Sequence, residues 1–281
     1  MAAILIADSG STKTDWCLIQ SGKCRQRTKT GGMNPLLQTK EQVSKVLESE
    51  LSIDEPYEAV GQVVFYGAGV KDAAAQEELR SVLSVHFKAA AIDIHSDLLA
   101  AARATCGYEK GVACILGTGS NSGYYNGKII KHQNPSLGYI IGDEGGGAFL
   151  GKRVLQYYFY RTFDEELTGA FQQKYGDDLS SVLRKVYQEP FANRYLATFV
   201  QFLKEHRGHY MVENIIEDAF IDFHQRHILK YRESWNYPVH FCGAVAYEFK
   251  DVIESLHEQY GLETGNIVKA PMDGLCAYHL G

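Results

Sequence analysis

Residues 3–14 read Ala3-Ile4-Leu5-Ile6-Ala7-Asp8-Ser9-Gly10-Ser11-Thr12-Lys13-Thr14, and a second apolar run follows at 15–20. Residues 3–7 and 15–20 have the β-branched, apolar character of short strands, and Ser21-Gly22 supplies a turn after the second. A polar turn with one glycine therefore joins two strands. Gly10 lets the backbone turn tightly and come close to a ligand. Exposed N–H groups and the hydroxyls of Ser11, Thr12 and Thr14 can cradle phosphate oxygens, and Lys13 adds positive charge. Asp8, at the strand end, stands where it could hold magnesium through water. A plain polar hairpin turn explains the same residues about equally well.

Further along, residues 24–30 complete a three-stranded meander. The spacing of Val43, Val46, Leu47 and Leu51 predicts an amphipathic helix over 39–51. A strand over 62–66, a helix over 72–87, a strand over 91–94 and a helix over 97–105 follow, an alternation that implies crossover connections. At Gly111 the chain begins again: a strand over 112–116, Gly117-Thr118-Gly119, a strand over 123–125, Asn126-Gly127 and a strand over 128–131. The two halves open alike, which points to duplication. Residues 149–231 read as helical and rich in aromatics. A strand at 238–242, a helix at 243–259, a strand at 267–269 and a helix at 272–279 close the chain.

Gly117-Thr118-Gly119-Ser120-Asn121 matches the first turn in kind. It is no Walker loop, because G-x-x-x-x-G-K-[ST] is absent. Nor is it a dinucleotide fingerprint: Ser122 takes the place of the third glycine, and Gly123 comes one residue late. Asp97 follows an apolar strand and opens a helix. It can be a helix cap, as can Ser96 beside it, or a general base at a strand's carboxyl end. Gly142-Asp143-Glu144-Gly145-Gly146-Gly147 precedes another helix, and its carboxylates can either cap that helix or bind sugar hydroxyls.

Composition narrows the classes. At 281 residues the chain is long for one core, and such chains usually divide into two domains. Hydrophobic residues make up 45% and charged ones 22%, ordinary for a globular protein. A net charge of -6 without a long basic run disfavours nucleic acid as a partner. No stretch approaches the roughly 20 apolar residues that span a bilayer, and the first eight residues do not read as a signal peptide, so no membrane association and a cytoplasmic location are expected. Six scattered cysteines without a C-x-x-C pair read as reduced thiols, mostly buried.

Together the motifs resemble the N-acetylglucosamine kinases and the related BadF/BadG/BcrA/BcrD-type ATPases of the actin/hexokinase/Hsc70-like superfamily. Residues 8–14 resemble the first phosphate motif and Gly117-Thr118-Gly119-Ser120-Asn121 the second. Gly31-Gly32-Met33-Asn34-Pro35 resembles the Asn-bearing sugar loop, and Tyr66-Gly67-Ala68-Gly69 a connecting strand end. Ser96-Asp97 matches the catalytic aspartate, residues 138–145 the sugar-domain loop, and Phe241-Cys242-Gly243-Ala244-Val245-Ala246 the adenosine motif. The stretch before Gly142 departs from the family's Gly/Trp-rich pattern, reading Asn134-Pro135-Ser136-Leu137-Gly138-Tyr139.

The resemblance implies an α/β protein of two ribonuclease H-like (actin-like ATPase) domains with an inter-domain cleft. One domain covers residues 1–108 and is rejoined by a C-terminal helix over 271–281. The other covers 109–270, with a helical insertion at about 149–232. It implies ATP and Mg2+ as cofactors, with Asp8 on the metal. Residues 10–14, Gly117, Thr118, Gly119, Gly243 and Ala244 would lie on ATP, and Asn34, Thr118, Asn121 and Asp143 on the sugar. Asp97 would be the general base for phosphorylation of an amino sugar, N-acetylglucosamine first, at its 6-hydroxyl. The partner is a small-molecule sugar, and a homodimer is left open. Three other readings stay open: an ATPase that activates a partner enzyme, a non-catalytic sugar or nucleotide sensor, and, disfavoured by the missing fingerprint, a nicotinamide oxidoreductase.

Overall fold

The computed structural model describes residues 2–10, 13–35, 38–70 and 72–281. The chain divides into two compact units, Met1–Tyr108 with Ala270–Gly281, and Glu109–Lys269.

The first unit opens with β1 (Ala3–Ser9), β2 (Lys13–Gln20) and β3 (Lys23–Gly31), each antiparallel to the one before. Helix α1 (Lys40–Glu50) starts with a capping box, in which Thr39 and Gln42 each satisfy the other's backbone N–H. Strand β4 (Val60–Gly67), helix α2 (Ala73–His86), strand β5 (Ala91–Ser96) and helix α3 (Asp97–Cys106) follow. The sheet order is β3-β2-β1-β4-β5, with β1, β4 and β5 parallel. Leu5, Ala7, Trp16, Leu18, Val63 and Phe65 bury one face of this sheet against Leu47, Leu79 and Leu83 of the helices. Full burial of such side chains stabilises by about 1.5–3 kcal/mol each. The indole N–H of buried Trp16 donates to Thr30 Oγ1 at 3.0 Å, so its polar end is satisfied.

The C-terminal helix, Met272–Leu280, packs on α3 and β2 of this unit. Close approach needs Gly274: a Cβ there would stand 2.1 Å from the Ala104 carbonyl oxygen of α3.

The second unit repeats the plan. Strands β6 (Lys110–Leu116), β7 (Ser120–Asn126) and β8 (Ile130–Gln133) form an antiparallel meander. Helices α4 (Gly138–Ile141), α5 (Gly147–Phe159), α6 (Glu165–Tyr175), α7 (Leu179–Tyr187), α8 (Ala192–Ala197), α9 (Val200–Glu205) and α10 (Tyr210–Arg226) form the insertion. Strand β9 (Val239–Cys242), helices α11 (Ala244–Glu248) and α12 (Lys250–Tyr260), and strand β10 (Thr264–Val268) complete it. The order β10-β9-β6-β7-β8 is that of the first sheet, with β6, β9 and β10 parallel. The insertion packs an aromatic core, with Phe171, Phe199, Phe202, Phe220, Phe223, Phe241 and Phe249 all buried.

Two boundaries differ from the sequence expectation. The third strand of the second meander starts at Ile130 rather than Lys128, because Asn126 Oδ1 accepts from the N–H groups of Lys128 and Ile129 and holds them in a turn. The helix expected over 243–259 is two helices, since the backbone leaves α geometry at Phe249, whose ring is buried near Phe220.

Candidate active site

In the first unit, the parallel strands β1, β4 and β5 end side by side. Ser9 pairs with Gly67, and Gly67 with Ser96. Asp8, the next residue back on β1, and Asp97, just past β5, are thus two strands apart, about 10 Å in backbone terms. Burial pushes the Asp8 carboxyl up to about 7, Asp97 and Asp15 push it the same way, and Lys13 opposes them. Asp15 is the cross-strand partner of Asp8 and forms a 2.8 Å ion pair with Lys13.

Ser96 is the N-cap of α3, its hydroxyl accepting from Leu99 N–H at 3.3 Å. Asp97 Oδ1 accepts from the adjacent Leu98 N–H at 2.8 Å. The cap role therefore falls to the serine, and the aspartate occupies the first helical position.

Of the first phosphate turn, Ser11 and Thr12 lie outside the described residues. Gly10 is exposed, and its N–H donates to the Lys13 carbonyl at 3.0 Å. Thr14 is fully buried: its hydroxyl donates to the Gly31 carbonyl at 3.0 Å and sits 2.8 Å from Ser9 Oγ. Ser9 Oγ in turn accepts from Met33 N–H at 2.9 Å. Thr14 and Ser9 thus pin the loop that carries Asn34 to the ends of β1 and β2. Asn34 is buried, its N–H donating to Gln38 Oε1 at 2.9 Å. Gly69 lies against it with φ +84°, and a Cβ there would stand 2.2 Å from Asn34 Oδ1.

In the second unit the Gly117–Gly119 turn follows β6. A Cβ on Gly117 would meet open space, whereas one on Gly119 would stand 2.6 Å from Asp143 Oδ2. The carbonyls of Gly117 and Thr118 accept from Gly147 and Ala148 N–H at 2.8 Å each, so the turn stitches to the start of α5. Asp143 has φ +59° and Gly145 φ +71°, and a Cβ on Gly146 would stand 2.7 Å from the Gly119 carbonyl carbon. The 142–147 loop therefore lies directly on the phosphate-type turn. Gly243 closes the same strand end, with φ +134° and a position for Cβ only 2.1 Å from the Leu116 carbonyl oxygen. Ala244 is exposed at the start of α11.

Asn121 points into the sheet: its Oδ1 accepts from Ser122 N–H at 2.9 Å and from Gln133 Nε2 at 3.0 Å. Sequence reasoning missed the support beneath the loop. Glu144 Oε2 lies 3.3 Å from His227 Nε2, whose other ring nitrogen is 3.4 Å from Ser122 Oγ. Tyr231 OH donates to the Ser122 carbonyl at 3.0 Å and accepts from Asn134 N–H at 2.8 Å. These partners lie 83 to 109 residues apart, so no local spacing could have revealed them.

The residues present suit magnesium. No oxygen-donor group of three converges within ligating distance among the described residues, and this ion commonly takes only one or two carboxylates, completing its shell with water and phosphates. Asp8, crowded by other carboxylates, is the group a hard divalent ion would relieve.

Among the described residues no helix is long and apolar enough to cross a membrane. No family model and no curated protein matches the chain. Solved structures do. A provisional N-acetylglucosamine kinase from Porphyromonas gingivalis is 40% identical over 99% of this chain and 98% of its own, with a TM-score of 0.94. Another from Chromobacterium violaceum is 18% identical over 100% and 99%, with a TM-score of 0.74. The ROK hexokinase of Thermus thermophilus shares the fold at 14% identity, over 99% and 97%, with a TM-score of 0.55. With 40% identity along nearly the whole of both chains, the chain belongs to the N-acetylglucosamine kinase family of sugar kinases.

Proposed function

We propose that the protein transfers the γ-phosphoryl group of ATP to the 6-hydroxyl of N-acetylglucosamine, giving the 6-phosphate and ADP. The observation that carries this reading is the pair of carboxylates at the ends of parallel strands of one sheet, Asp8 on β1 and Asp97 just past β5, with β4 between them. The name of the 40% identical relative supports the substrate.

Asp97 is the general base, taking the proton of the attacking hydroxyl as the O–P bond forms and the bond to ADP breaks. Asn34 and Asp143 orient the sugar, and Asn121, packed behind the second turn, steadies it. Lys13 and the turns around Gly10 and Gly117–Gly119 hold the phosphates, while the bare backbone at Gly243-Ala244 accepts the adenosine. Asp8 would hold magnesium, which would supply charge neutralisation at the phosphates. Such transfer rests on positioning and charge neutralisation, with little covalent work by the protein.

An ATP-coupled assay over glucose, glucosamine, N-acetylglucosamine, N-acetylmannosamine and N-acetylmuramic acid tests the substrate, with N-acetylglucosamine expected to give the highest kcat/KM. Asp97→Asn tests the base. Since Ser96 keeps the cap, the fold and sugar binding should persist while kcat falls by about 10²–10⁴. Near-wild-type turnover by a folded Asp97→Asn protein would remove Asp97 from the chemistry.

A further inference from the structure

Three cysteines far apart in sequence meet in the first unit. Cys17 lies on β2, Cys24 on β3 and Cys276 on the C-terminal helix. The Cys17 sulfur is 2.7 Å from that of Cys24 and 3.1 Å from that of Cys276, and all three fall within 4.8 Å of one another. Cys17 and Cys276 are buried, whereas Cys24 is exposed and opens the cluster to solvent. We propose that this trio is a binding site for a thiophilic d10 cation, Zn2+ above all, tying the C-terminal helix to the β2–β3 hairpin.

Two features favour this occupant. As neutral thiols the sulfurs are crowded, since unbonded heavy atoms settle at about 3.5–4.0 Å. A disulfide would relieve one contact and leave the third sulfur unused, while a metal ion uses all three. Zn–S bonds of about 2.3 Å in tetrahedral array set the sulfurs roughly 3.8 Å apart. That calls for about 1 Å of outward movement, which exposed Cys24 can supply, and it leaves the fourth position facing water.

The second feature is the charge beside the cluster. Binding of Zn2+ to three thiols releases three protons and leaves a site of net charge −1. Arg27, the cross-strand neighbour of Cys17, lies beside Cys24 and pairs with Asp273. Asp273 is one turn before Cys276 on the same helix. The guanidinium can therefore donate to the thiolates and offset their charge, as outer-sphere partners of metal sites do.

The experiment uses the full chain, reduced and stripped of metal under anaerobic conditions, titrated with Zn2+ against a chromophoric chelator, and in parallel with Co2+. One tight equivalent is expected, with a sulfur-to-cobalt charge-transfer band. Cys24→Ser, at an exposed position, should keep the fold and weaken binding at least 10–100-fold, the loss that removal of even an outer-sphere partner causes. Cys106→Ser, outside the trio in the same unit, should bind as wild type. A folded, reduced wild type that retains no equivalent overturns the proposal, as does undiminished binding by Cys24→Ser. Isolation of a Cys17–Cys24 disulfide from reducing cells, seen as a 2 Da loss in the linked peptides, would overturn it equally.

Discussion

Replacing Asp8 by asparagine should make the metal-free protein more stable while abolishing its activity. The Asp8 carboxyl is raised from 3.8 to about 7, a shift of about 3 units, and each unit corresponds to about 1.36 kcal/mol. A raised acid binds its proton more tightly in the folded state. The folded form therefore loses stability as the pH climbs from 3.8 towards 7, and the loss levels off above that. At pH 8 the full cost is roughly 4 kcal/mol, an upper value because the side chain is only half-buried and solvent screens it. Asparagine has the shape of the carboxylate and none of its charge. Asp8→Asn should thus gain about 2–4 kcal/mol over wild type at pH 8 and under about 1 kcal/mol at pH 4. Urea unfolding reads this directly, with Trp16 as reporter, since Trp16 is buried on the neighbouring strand and exposed Trp235 can be changed to phenylalanine. Magnesium with ADP should stabilise wild type and leave Asp8→Asn unmoved. A gap that is the same at pH 4 and pH 8, or a variant weaker than wild type at pH 8, would refute the reasoning.

Two glycine substitutions separate site geometry from folding. Gly119→Ala puts a methyl 2.6 Å from Asp143 Oδ2, the movable end of a side chain. The fold should survive with Asp143 displaced, and kcat/KM for the sugar should fall by about 10²-fold, measured by coupled assay alongside a melting curve. Gly69→Ala adds a methyl 2.2 Å from Asn34 Oδ1 at φ +84°. It should cost about 1–2 kcal/mol of stability and raise the sugar KM more than it lowers kcat, as steady-state kinetics will tell.

The sequence carried most of what local chemistry decides. The helices expected from 39 and 72 begin one residue later, with Thr39 and Asp72 as their N-caps, and an N-cap is a short-range device. The repeated opening of the two halves emerged as one strand order used twice. What stayed hidden was long-range or side-chain specific. The turn at Asn126 depends on where one amide points, and the break at Phe249 on which ring the core of the second unit accepts. Thr14 reads as a phosphate ligand by type, yet its hydroxyl is spent on Gly31 and Ser9. The Glu144–His227 contact and the cysteine trio join residues 83 and up to 259 positions apart, where no periodicity extends.

The C-terminal helix sets an order of events during synthesis. The first unit is emitted first but lacks its last helix until residues 270–281 appear, and the uninterrupted stretch of 109–269 comes between. At 5–20 residues per second the ribosome takes about 10–30 s to deliver those 161 residues. For that interval α3 and β2 wait with the surface meant for Met272, Leu275 and Cys276 uncovered, while the second unit needs no chain from beyond residue 269. A released chain ending at residue 269 should therefore show a protease-resistant 109–269 core and a first half still open to cleavage and to chaperones.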